Sequence, residues 1–141
     1  MLGHLADVHW IGVVVATTAF GALGGIYFAV LFPKQYAYAI GRENQSNDER
    51  AGGALFYAGP LVCALVVVVA DALFISALGI GTVGGAIVFG LVTGVGFLVP
   101  MAFNIAINPL FPRPLVYGLL NAPYFVIGNV VASVLVVVIP W

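Results

Sequence analysis

Four long apolar stretches restrict what this chain can fold into. They cover residues 9–32, 52–77, 82–107 and 115–139. Each is long enough to cross the hydrocarbon core of a bilayer, about 30 Å thick, as a helix that rises about 1.5 Å per residue. Lipid offers no hydrogen bonds to exposed backbone groups, so only helices or closed barrels can span it, and continuous apolar runs lack the alternation of barrel strands. The sequence therefore predicts one all-α domain, a transmembrane four-helix bundle.

The composition excludes ordinary water-soluble domains. Of the 141 residues, 63% are hydrophobic and 6% are charged, whereas soluble domains carry about 25% charged residues. The net charge is −1 and no basic cluster is present, so the chain lacks the electrostatic pattern of a nucleic-acid-binding protein. The residues before the first apolar stretch contain no lysine or arginine, so we expect this stretch to be retained rather than cleaved as a secretory signal.

The basic residues predict how the chain is oriented in the membrane. Lys34, Arg42 and Arg50 lie between the first and second spans, and Arg113 lies between the third and fourth. All four are therefore on one side of the membrane. The positive-inside rule places this side, with the loop 33–51, in the cytoplasm. We expect a multi-pass protein of the cytoplasmic membrane whose N- and C-termini both lie outside.

The loop between the first two spans has two parts. An apolar residue every fourth position predicts a short interfacial helix over residues 34–40, which Gly41 ends. In the polar part, Ser46 and Glu49 have capping-box spacing, and Asp48 and Glu49 are placed to begin the second membrane helix. The alternative is that this polar segment binds a partner protein.

One internal match suggests that the two halves of the chain are related. Leu-Phe-Pro-Lys at residues 31–34 recurs as Leu-Phe-Pro-Arg at residues 110–113, and Tyr38 falls opposite Tyr117 at the same spacing. The match predicts two helix hairpins related as a parallel repeat, because the first and third spans run in the same direction. The alternative is that a proline and a cation commonly end a membrane helix at this interface.

Small residues at helical spacing predict where the helices pack. Burial of apolar surface contributes little to association in lipid, so close backbone approach and interhelical hydrogen bonds must provide it. The alternative is that the glycines only reflect the higher glycine content of membrane helices. The predicted packing glycines of the first, third and fourth spans are Gly21, Gly25, Gly90, Gly94 and Gly128.

Asp71 is the one charged residue inside an apolar stretch. It lies roughly 9 Å along the helix axis from the outer end of the second span, and an ionised carboxylate costs several kcal/mol at mid-bilayer. The basic residues are on the opposite side, so we predict a hydrogen bond from His9 to Asp71 and a protonatable pair facing outward. The alternative is a carboxyl group that is neutral or hydrated for structural reasons.

Asparagines form a second set of candidate polar residues. Asn104 and Asn108 lie one turn apart near the cytoplasmic end of the third span, and Pro100 precedes them. A proline kink there is expected to open a polar niche that also contains Asn121. Asn129 follows on the same face of the fourth span as Asn121. Such amides join helices by hydrogen bonds, and the alternative is that they line a ligand or ion pathway.

The sequence contains none of the common catalytic or cofactor-binding motifs. It lacks GxSxG, Walker, HExxH and CxxC patterns, and its one cysteine, Cys63, has no partner for a disulfide. His4, Asp7 and His9 are too few and too close to the terminus to indicate a metal site strongly. We therefore expect no enzyme activity, no cofactor and no metal.

Several short motifs along nearly the whole chain resemble one protein family. The resemblance is to DUF1761, a family of small four-helix membrane proteins of unknown function. It implies the same four-helix fold and topology, and it implies no mechanism. The matching features are Trp10 at the start of the first span, the segments 19–27, 31–35, 78–79, 96–100 and 110–114, Tyr124, and the terminal Trp141.

These observations favour a non-enzymatic structural or accessory subunit. A bundle this small buries few of its small-residue stripes by itself, so we expect a homo-oligomer or association with a larger membrane complex, surrounded by lipid. The alternative is a small proton- or solute-conducting transporter or channel, formed at a dimer interface around Asp71, Asn104 or Asn121. A transporter requires a polar path at mid-membrane depth, whereas an accessory subunit has a dry interior and an apolar face for its partner.

Overall fold

A computed structural model describes residues 8–45 and 53–139, and this part of the chain is helical and contains no strand. Four long helices account for most of it, with one short helix after the first. The polar residues Ser46, Asp48, Glu49 and Arg50, whose roles the sequence predicts, lie outside the described residues, as do His4, Asp7 and Trp141. The helices are α1 (Trp10–Leu31), α2 (Pro33–Ala39), α3 (Ala54–Ala77), α4 (Val83–Ala106) and α5 (Pro114–Val138).

The long helices α1, α3, α4 and α5 coincide with the four predicted spans to within two residues at each end. Each is long and apolar enough to cross a membrane. Apolar side chains that cover a helix all round cannot be exposed to water, and lipid is the solvent that suits them. The chain is therefore an all-helical, multi-pass membrane protein.

Helix α5 is the centre of the bundle. It packs against α1 on one side and α4 on the other, while α3 packs on α1 and to a smaller extent on α5. At Gly90 of α4 an added Cβ atom would lie 2.7 Å from the Val130 Cα atom, and at Gly128 it would overlap the Phe20 ring. These glycines therefore allow helix backbones and rings to approach closely, which is the main source of helix association in lipid.

The other predicted packing glycines differ among themselves. An added Cβ atom at Gly94 would lie 3.2 Å from the Val126 Cα atom, and one at Gly21 would lie 2.8 Å from a methyl group of Leu61. Gly25 has no neighbour within 4 Å of that position. The α1 stripe therefore contacts a neighbouring helix at Gly21 and faces open space at Gly25.

Both α1 and α4 contain a widened, π-helical segment. In α1 it covers Ile26–Leu31, immediately before Pro33, and in α4 it covers Gly94–Leu98, immediately before Pro100. Proline has no backbone N–H and its ring crowds the preceding turn, so a helix must change its hydrogen-bonding pattern there. The predicted disturbance at Pro100 is present in α4 as this wider turn.

The short helix α2 lies where the sequence predicts a helix over residues 34–40, and its position at the membrane interface stays a prediction. It ends at Ala39, shortly before Gly41, whose backbone φ of 72° is the left-handed conformation that glycine adopts readily. The Gly41 and Arg42 amides donate to the carbonyls of Tyr38 and Ala37, which closes the helix end. An added Cβ atom at Gly41 would lie 2.8 Å from the Pro112 ring, so the end of α2 packs on the segment before α5.

The two ends of the bundle differ in charge. Lys34, Arg42 and Arg113 lie at the end formed by α2 and the start of α5, which we call the basic end, and the opposite end is called the His9 end. The matching segments 31–34 and 110–113 both lie at the basic end, while their origin by duplication stays a prediction. The orientation of the two ends across the membrane also stays a prediction.

Helix α3 is only partly covered by the rest of the bundle. Its buried residues begin at Ala64 and continue toward the His9 end. Before Ala64 nearly every residue is exposed, and Leu55 is 84% exposed. Helix α3 therefore packs mainly in its half nearest the His9 end, and its half nearest the basic end is largely uncovered, although Leu61 reaches Gly21 of α1.

Candidate functional site

Asp71 lies on the buried face of α3 and is 5% exposed. The same face carries Val68 and Ala72, which belong to the apolar core that α3 shares with α1 and α5. From α5, the Asn129 side chain lies within hydrogen-bonding range of the Asp71 carboxyl group. The structure thus joins a carboxyl group and an amide across the interface between α3 and α5.

Asn129 also contacts the helix on its other side. Its amide nitrogen is 2.7 Å from the Thr93 hydroxyl oxygen and 3.3 Å from the Gly90 carbonyl oxygen, both on α4. The Thr93 hydroxyl in turn donates to the Phe89 carbonyl at 2.9 Å. A single buried side chain of α5 therefore hydrogen-bonds to α4 and lies beside the Asp71 carboxyl group of α3.

These contacts determine which atom of the Asn129 amide faces α4. The Gly90 carbonyl can only accept a hydrogen bond, so it requires the amide nitrogen as its donor. The Thr93 hydroxyl proton is directed to Phe89, so Thr93 also requires a donor from Asn129. The amide oxygen of Asn129 is left as an acceptor for a group outside α4.

Three buried oxygen atoms within residues 8–45 and 53–139 have no hydrogen-bond partner. They are Asn129 Oδ1, Asp71 Oδ2 and Thr17 Oγ1, and they belong to three different helices. A buried oxygen without a partner costs about 1–3 kcal/mol, and more when it is charged. Around these three residues, the interior of the bundle therefore has fewer hydrogen-bond donors than buried acceptors.

A proton on Asp71 removes most of this deficit. The carboxylic acid O–H can donate to Asn129 Oδ1, which gives partners to both oxygen atoms in one hydrogen bond. An ionised carboxylate would instead leave a charge in an apolar core. The arrangement is therefore one in which the carboxyl group can hold or release a proton.

The position of His9 corrects one prediction from the sequence. Its ring Nδ1 atom lies 3.3 Å from the Ile139 carbonyl oxygen, at the end of α5. The side chain that lies within hydrogen-bonding range of the Asp71 carboxyl group is Asn129. The predicted hydrogen bond between His9 and Asp71 is therefore wrong.

His9 borders a pocket of about 270 Å³ at the His9 end. Ser76 supplies a hydroxyl group to its wall, and the apolar lining includes Ala72 and Ile75 of α3. Ala72 is next to Asp71 in sequence and Ile75 is one helical turn from it. The pocket consequently approaches the buried carboxyl group from the His9 end.

The remaining predicted asparagines do not form a common niche. Asn121 is buried and donates to the Tyr117 carbonyl of its own helix at 2.8 Å. Asn104 and Asn108 are exposed, and the Asn108 side chain accepts a hydrogen bond from the Leu110 amide at 3.0 Å. Asn129 is thus the predicted asparagine that the described contacts show joining α4 to α5.

Thr93, a member of the buried network, was not identified from the sequence, whereas Ser133 lies on the face of the fourth span that the sequence predicts to pack. Thr93 follows the packing residue Gly90 by three positions, and Ser133 follows Asn129 by four. Both spacings put residues on one helix face. The Ser133 hydroxyl donates to the Asn129 carbonyl at 2.8 Å. A hydroxyl residue three positions after a packing glycine, or four after a buried asparagine, is the sequence pattern that could have predicted this network.

A second polar cluster, at the basic end, was also missed. Arg113 pairs with the Glu43 carboxylate at 2.7 Å, donates to the Tyr38 carbonyl, and lies 3.7 Å from the centre of the Tyr38 ring. The hydrogen bond that Arg113 donates to the Glu43 carboxylate raises the pKa of the guanidinium, which keeps it cationic. This cluster attaches the α2 end to the start of α5.

Comparison with known proteins leads to one family. A search of curated proteins and a search of solved structures gave no significant match. The model of a family described as "Protein of unknown function (DUF1761)" matches residues 11–137, which include all four long helices and both members of the Asp71–Asn129 pair. The four-helix architecture expected from the sequence motifs agrees with that match. The chain belongs to the DUF1761 family.

Proposed function

We propose that this protein is a non-enzymatic, proton-binding membrane protein whose functional group is Asp71. The observation that carries the proposal is the pair of partnerless oxygens, Asp71 Oδ2 and Asn129 Oδ1, on side chains within hydrogen-bonding range of each other. Two such acceptors are stabilised by a proton that one of them carries. Buried carboxyl groups inside membrane helices commonly mark proton relays or ion pathways.

The pocket at the His9 end is the route by which the proton arrives. Its wall holds the His9 imidazole and the Ser76 hydroxyl, two groups able to pass a proton, and it comes within one helical turn of Asp71. Under the positive-inside orientation this pocket opens to the outside of a cytoplasmic membrane. The proton then reaches Asp71 from the exterior.

Protonation of Asp71 is expected to change how firmly α3 is attached. A neutral Asp71 donates to Asn129 and holds α3 on α5, whereas an ionised Asp71 places a charge in the apolar interface and weakens the packing of α3. Helix α3 has few other polar attachments to α5, and the half nearest the basic end is uncovered. Proton binding thus couples to the position of α3, as required of a small proton-coupled transporter.

The proposal is tested with purified protein in lipid vesicles. Infrared difference spectra between about pH 5 and pH 8 report the carbonyl band of a protonated carboxylic acid. We expect a titrating band in the wild type that is lost in Asp71→Asn. Glu43→Gln, which removes a carboxylate at the basic end, is the matched control and keeps the band. A wild-type spectrum without a titrating carboxylic acid, or a band that survives Asp71→Asn, contradicts the proposal.

A second candidate function is that of an accessory subunit. It is supported by the uncovered half of α3, where Leu55 and Tyr57 are 84% and 66% exposed and offer an apolar helix surface to another membrane protein or a second copy. Mass measurement after extraction in mild detergent separates the candidates. A stoichiometric second protein or a homo-oligomer favours the subunit, and a monomer that retains the infrared titration favours proton binding alone.

A further inference from the structure

The hydroxyl oxygen of Thr17 on α1 is a buried polar atom that the proton site leaves without a partner. The residue is 7% exposed, and the described part of the chain gives its oxygen no hydrogen bond. A threonine inside a helix commonly donates to the carbonyl one turn earlier in its own helix. Thr18 and Thr93 do so, at 2.8 and 2.9 Å. The Thr17 hydroxyl lacks this bond and is therefore available to a group in the interior of the bundle.

Thr17 lies at the depth of the other two partnerless oxygens, those of Asp71 and Asn129. It is seven residues from the His9 end of α1, while Asp71 and Asn129 are six and nine residues from the same end of α3 and α5. At 1.5 Å per residue these distances are about 10, 9 and 14 Å. The three helices pack on one another. Each of them therefore brings one partnerless oxygen to nearly the same level of the interior.

The packing of α1 on α5 determines which turns of the two helices face each other. An added Cβ atom at Gly12 would lie 3.4 Å from the Val136 Cα atom, and one at Gly128 would overlap the Phe20 ring. The two contacts are eight residues apart on each helix, and the helices run in opposite directions, so Thr17 lies opposite position 131 of α5, two residues from the buried asparagine. The apolar residues within one turn of the three oxygens belong to a single core: Val13, Ala16, Phe20, Val68, Ala72, Ile75 and Ala132.

The three groups are of the kinds that bind a small metal cation. Carboxylate, amide and hydroxyl oxygens are ligands of hard cations. When Asp71 is ionised the total charge of the three groups is −1, so one monovalent cation neutralises them. A divalent cation would leave a net positive charge in an apolar core, which is unfavourable. The ligand set therefore suits a monovalent cation such as Na⁺.

We propose that Asp71, Asn129 and Thr17 bind one Na⁺ ion in place of the Asp71 proton, each through its partnerless oxygen. This proposal deepens the proposed function and rests on it, because both ions use the same carboxyl group. Binding of Na⁺ releases the carboxyl proton to water, so the site carries no net charge in either state. Buried charges in proteins are paired or coordinate metals, and the coupling ions of secondary transporters bind between helices near the middle of the bilayer.

The pocket at the His9 end connects this site to water. Its lining includes Ala72 and Ile75, which are next to Asp71 and one turn from it. The Ser76 hydroxyl in the same wall is an oxygen ligand that an entering ion can use while it loses its hydration water. An ion that enters here competes with the proton for one carboxyl group.

Direct binding of radioactive sodium ions tests the proposal. The purified protein in mild detergent is placed in an alkaline buffer of N-methylglucamine, a cation too large for the site, and bound Na⁺ is measured by a scintillation proximity assay. We expect saturable binding of one Na⁺ per chain in the wild type and none in Asp71→Asn. Thr17→Val, which removes one ligand and keeps the shape of the side chain, should weaken Na⁺ binding about tenfold. Unlabelled Na⁺ should displace the label, and Mg²⁺ should not.

Thr18→Val is the matched control. Thr18 is exposed and its hydroxyl donates to its own helix, so this variant should bind Na⁺ as the wild type does. Thr17→Ser, which keeps the hydroxyl group, should do the same. The Asp71 carbonyl band in the infrared spectrum should persist in Thr17→Val, which shows that the variant is folded. Absence of saturable Na⁺ binding in the wild type, equal affinities of Thr17→Val and Thr18→Val, equal losses in Thr17→Ser and Thr17→Val, or displacement by Mg²⁺ would overturn the proposal.

The cation site and the proton site fail in different ways. A wild type whose Asp71 band titrates but which binds no Na⁺ overturns the cation site and leaves proton binding in place. A wild type without the titrating band contradicts proton binding, and with it the exchange of one ion for the other, whatever its affinity for Na⁺.

Discussion

The amide nitrogen of Asn129 lies 2.7 Å from the hydroxyl oxygen of Thr93, and this contact joins α5 to α4 inside the membrane. It directs the amide nitrogen to α4 and leaves the amide oxygen without a partner in the described part of the chain. The Asp71 carboxyl group of α3 lies within hydrogen-bonding range of the same side chain. One asparagine therefore contacts both α4 and the carboxyl group that we propose binds a proton.

A double-mutant cycle measures the Asn129–Thr93 contact. Interhelical hydrogen bonds in membrane proteins contribute about 0.6 kcal/mol on average and up to about 1.7 kcal/mol. We expect Asn129→Ala and Thr93→Val to lower the free energy of unfolding non-additively, with a coupling near the upper value because Asn129 is fully buried. Reversible unfolding in mixed detergent micelles provides the measurement.

Ser133→Ala is the control for this cycle. The Ser133 hydroxyl donates to a carbonyl of its own helix, so its coupling to Thr93 should be close to zero. If the losses of unfolding free energy in Asn129→Ala and Thr93→Val are additive, the contact does not stabilise the bundle.

Gly90 is expected to be intolerant of any side chain. A Cβ atom there would lie 2.7 Å from the Val130 Cα atom and 3.1 Å from the Asn129 carbonyl oxygen. These are backbone atoms, which cannot move without separating α4 from α5. Gly90→Ala should therefore lower the free energy of unfolding by about 1–3 kcal/mol.

Gly25→Ala is the matched substitution, since no atom lies within 4 Å of an added Cβ there. It should leave stability unchanged or raise it by up to about 1 kcal/mol through better helix propensity. The free energies of unfolding of the two variants are compared by following their unfolding with circular dichroism. Similar losses in both would mean that the α4–α5 backbone approach is not what makes Gly90 sensitive.

Arg113 is expected to hold the end of α2. Arg113→Gln removes the ion pair with Glu43 and the contact with the Tyr38 ring. Exchange of the Gly41 and Arg42 amides with deuterium should then accelerate by about two- to fivefold, in line with the strength of half-exposed ion pairs. Hydrogen–deuterium exchange with mass spectrometry follows this directly.

Glu43→Gln separates the contributions of Arg113. It removes the ion pair and leaves the Tyr38 contacts, so it should give a smaller acceleration than Arg113→Gln. If both variants exchange as slowly as the wild type, the hydrogen bonds around Gly41 hold the end of α2 in place without help from Arg113.

The predicted orientation is testable by cysteine labelling. In a Cys63→Ser background, Gly81→Cys places a thiol in the turn between α3 and α4, and Lys34→Cys places one at the basic end. The positive-inside rule predicts that an impermeant maleimide added to intact cells modifies Gly81→Cys, while Lys34→Cys reacts only after lysis. The reverse labelling pattern would invert the topology and place the His9 pocket in the cytoplasm.

The sequence was sufficient to predict the helices because lipid imposes a length and an apolar composition on each of them. The predicted and observed ends of α1, at residues 9 and 32 against Trp10 and Leu31, differ by one residue. The π-helical segments were not predicted, because Gly94–Leu98 has the same apolar character as the turns around it. Hydropathy carries no information on which carbonyl each amide bonds.

The candidate site was predicted in part. A carboxyl group in an apolar stretch identified Asp71, and helical spacing placed Asn129 in a packing face. Their proximity was not predicted, because the rotation and register of α3 against α5 arise from side-chain packing across the whole bundle. The similar depth of Asp71 and Asn129 in the membrane could have indicated that they lie near each other. Asp71 lies six residues and Asn129 nine residues before the ends of their helices, both at the His9 end.

The uneven coverage of α3 has a mechanical consequence. The buried residues of α3 lie from Ala64 to Ile75, so a small change of tilt there produces its largest displacement near Phe56, at the less covered end of the helix. Helix α3 is in this respect a lever whose pivot contains Asp71. If a proton binds at Asp71 as proposed, the resulting displacement is greatest at the opposite membrane surface, about four helical turns away.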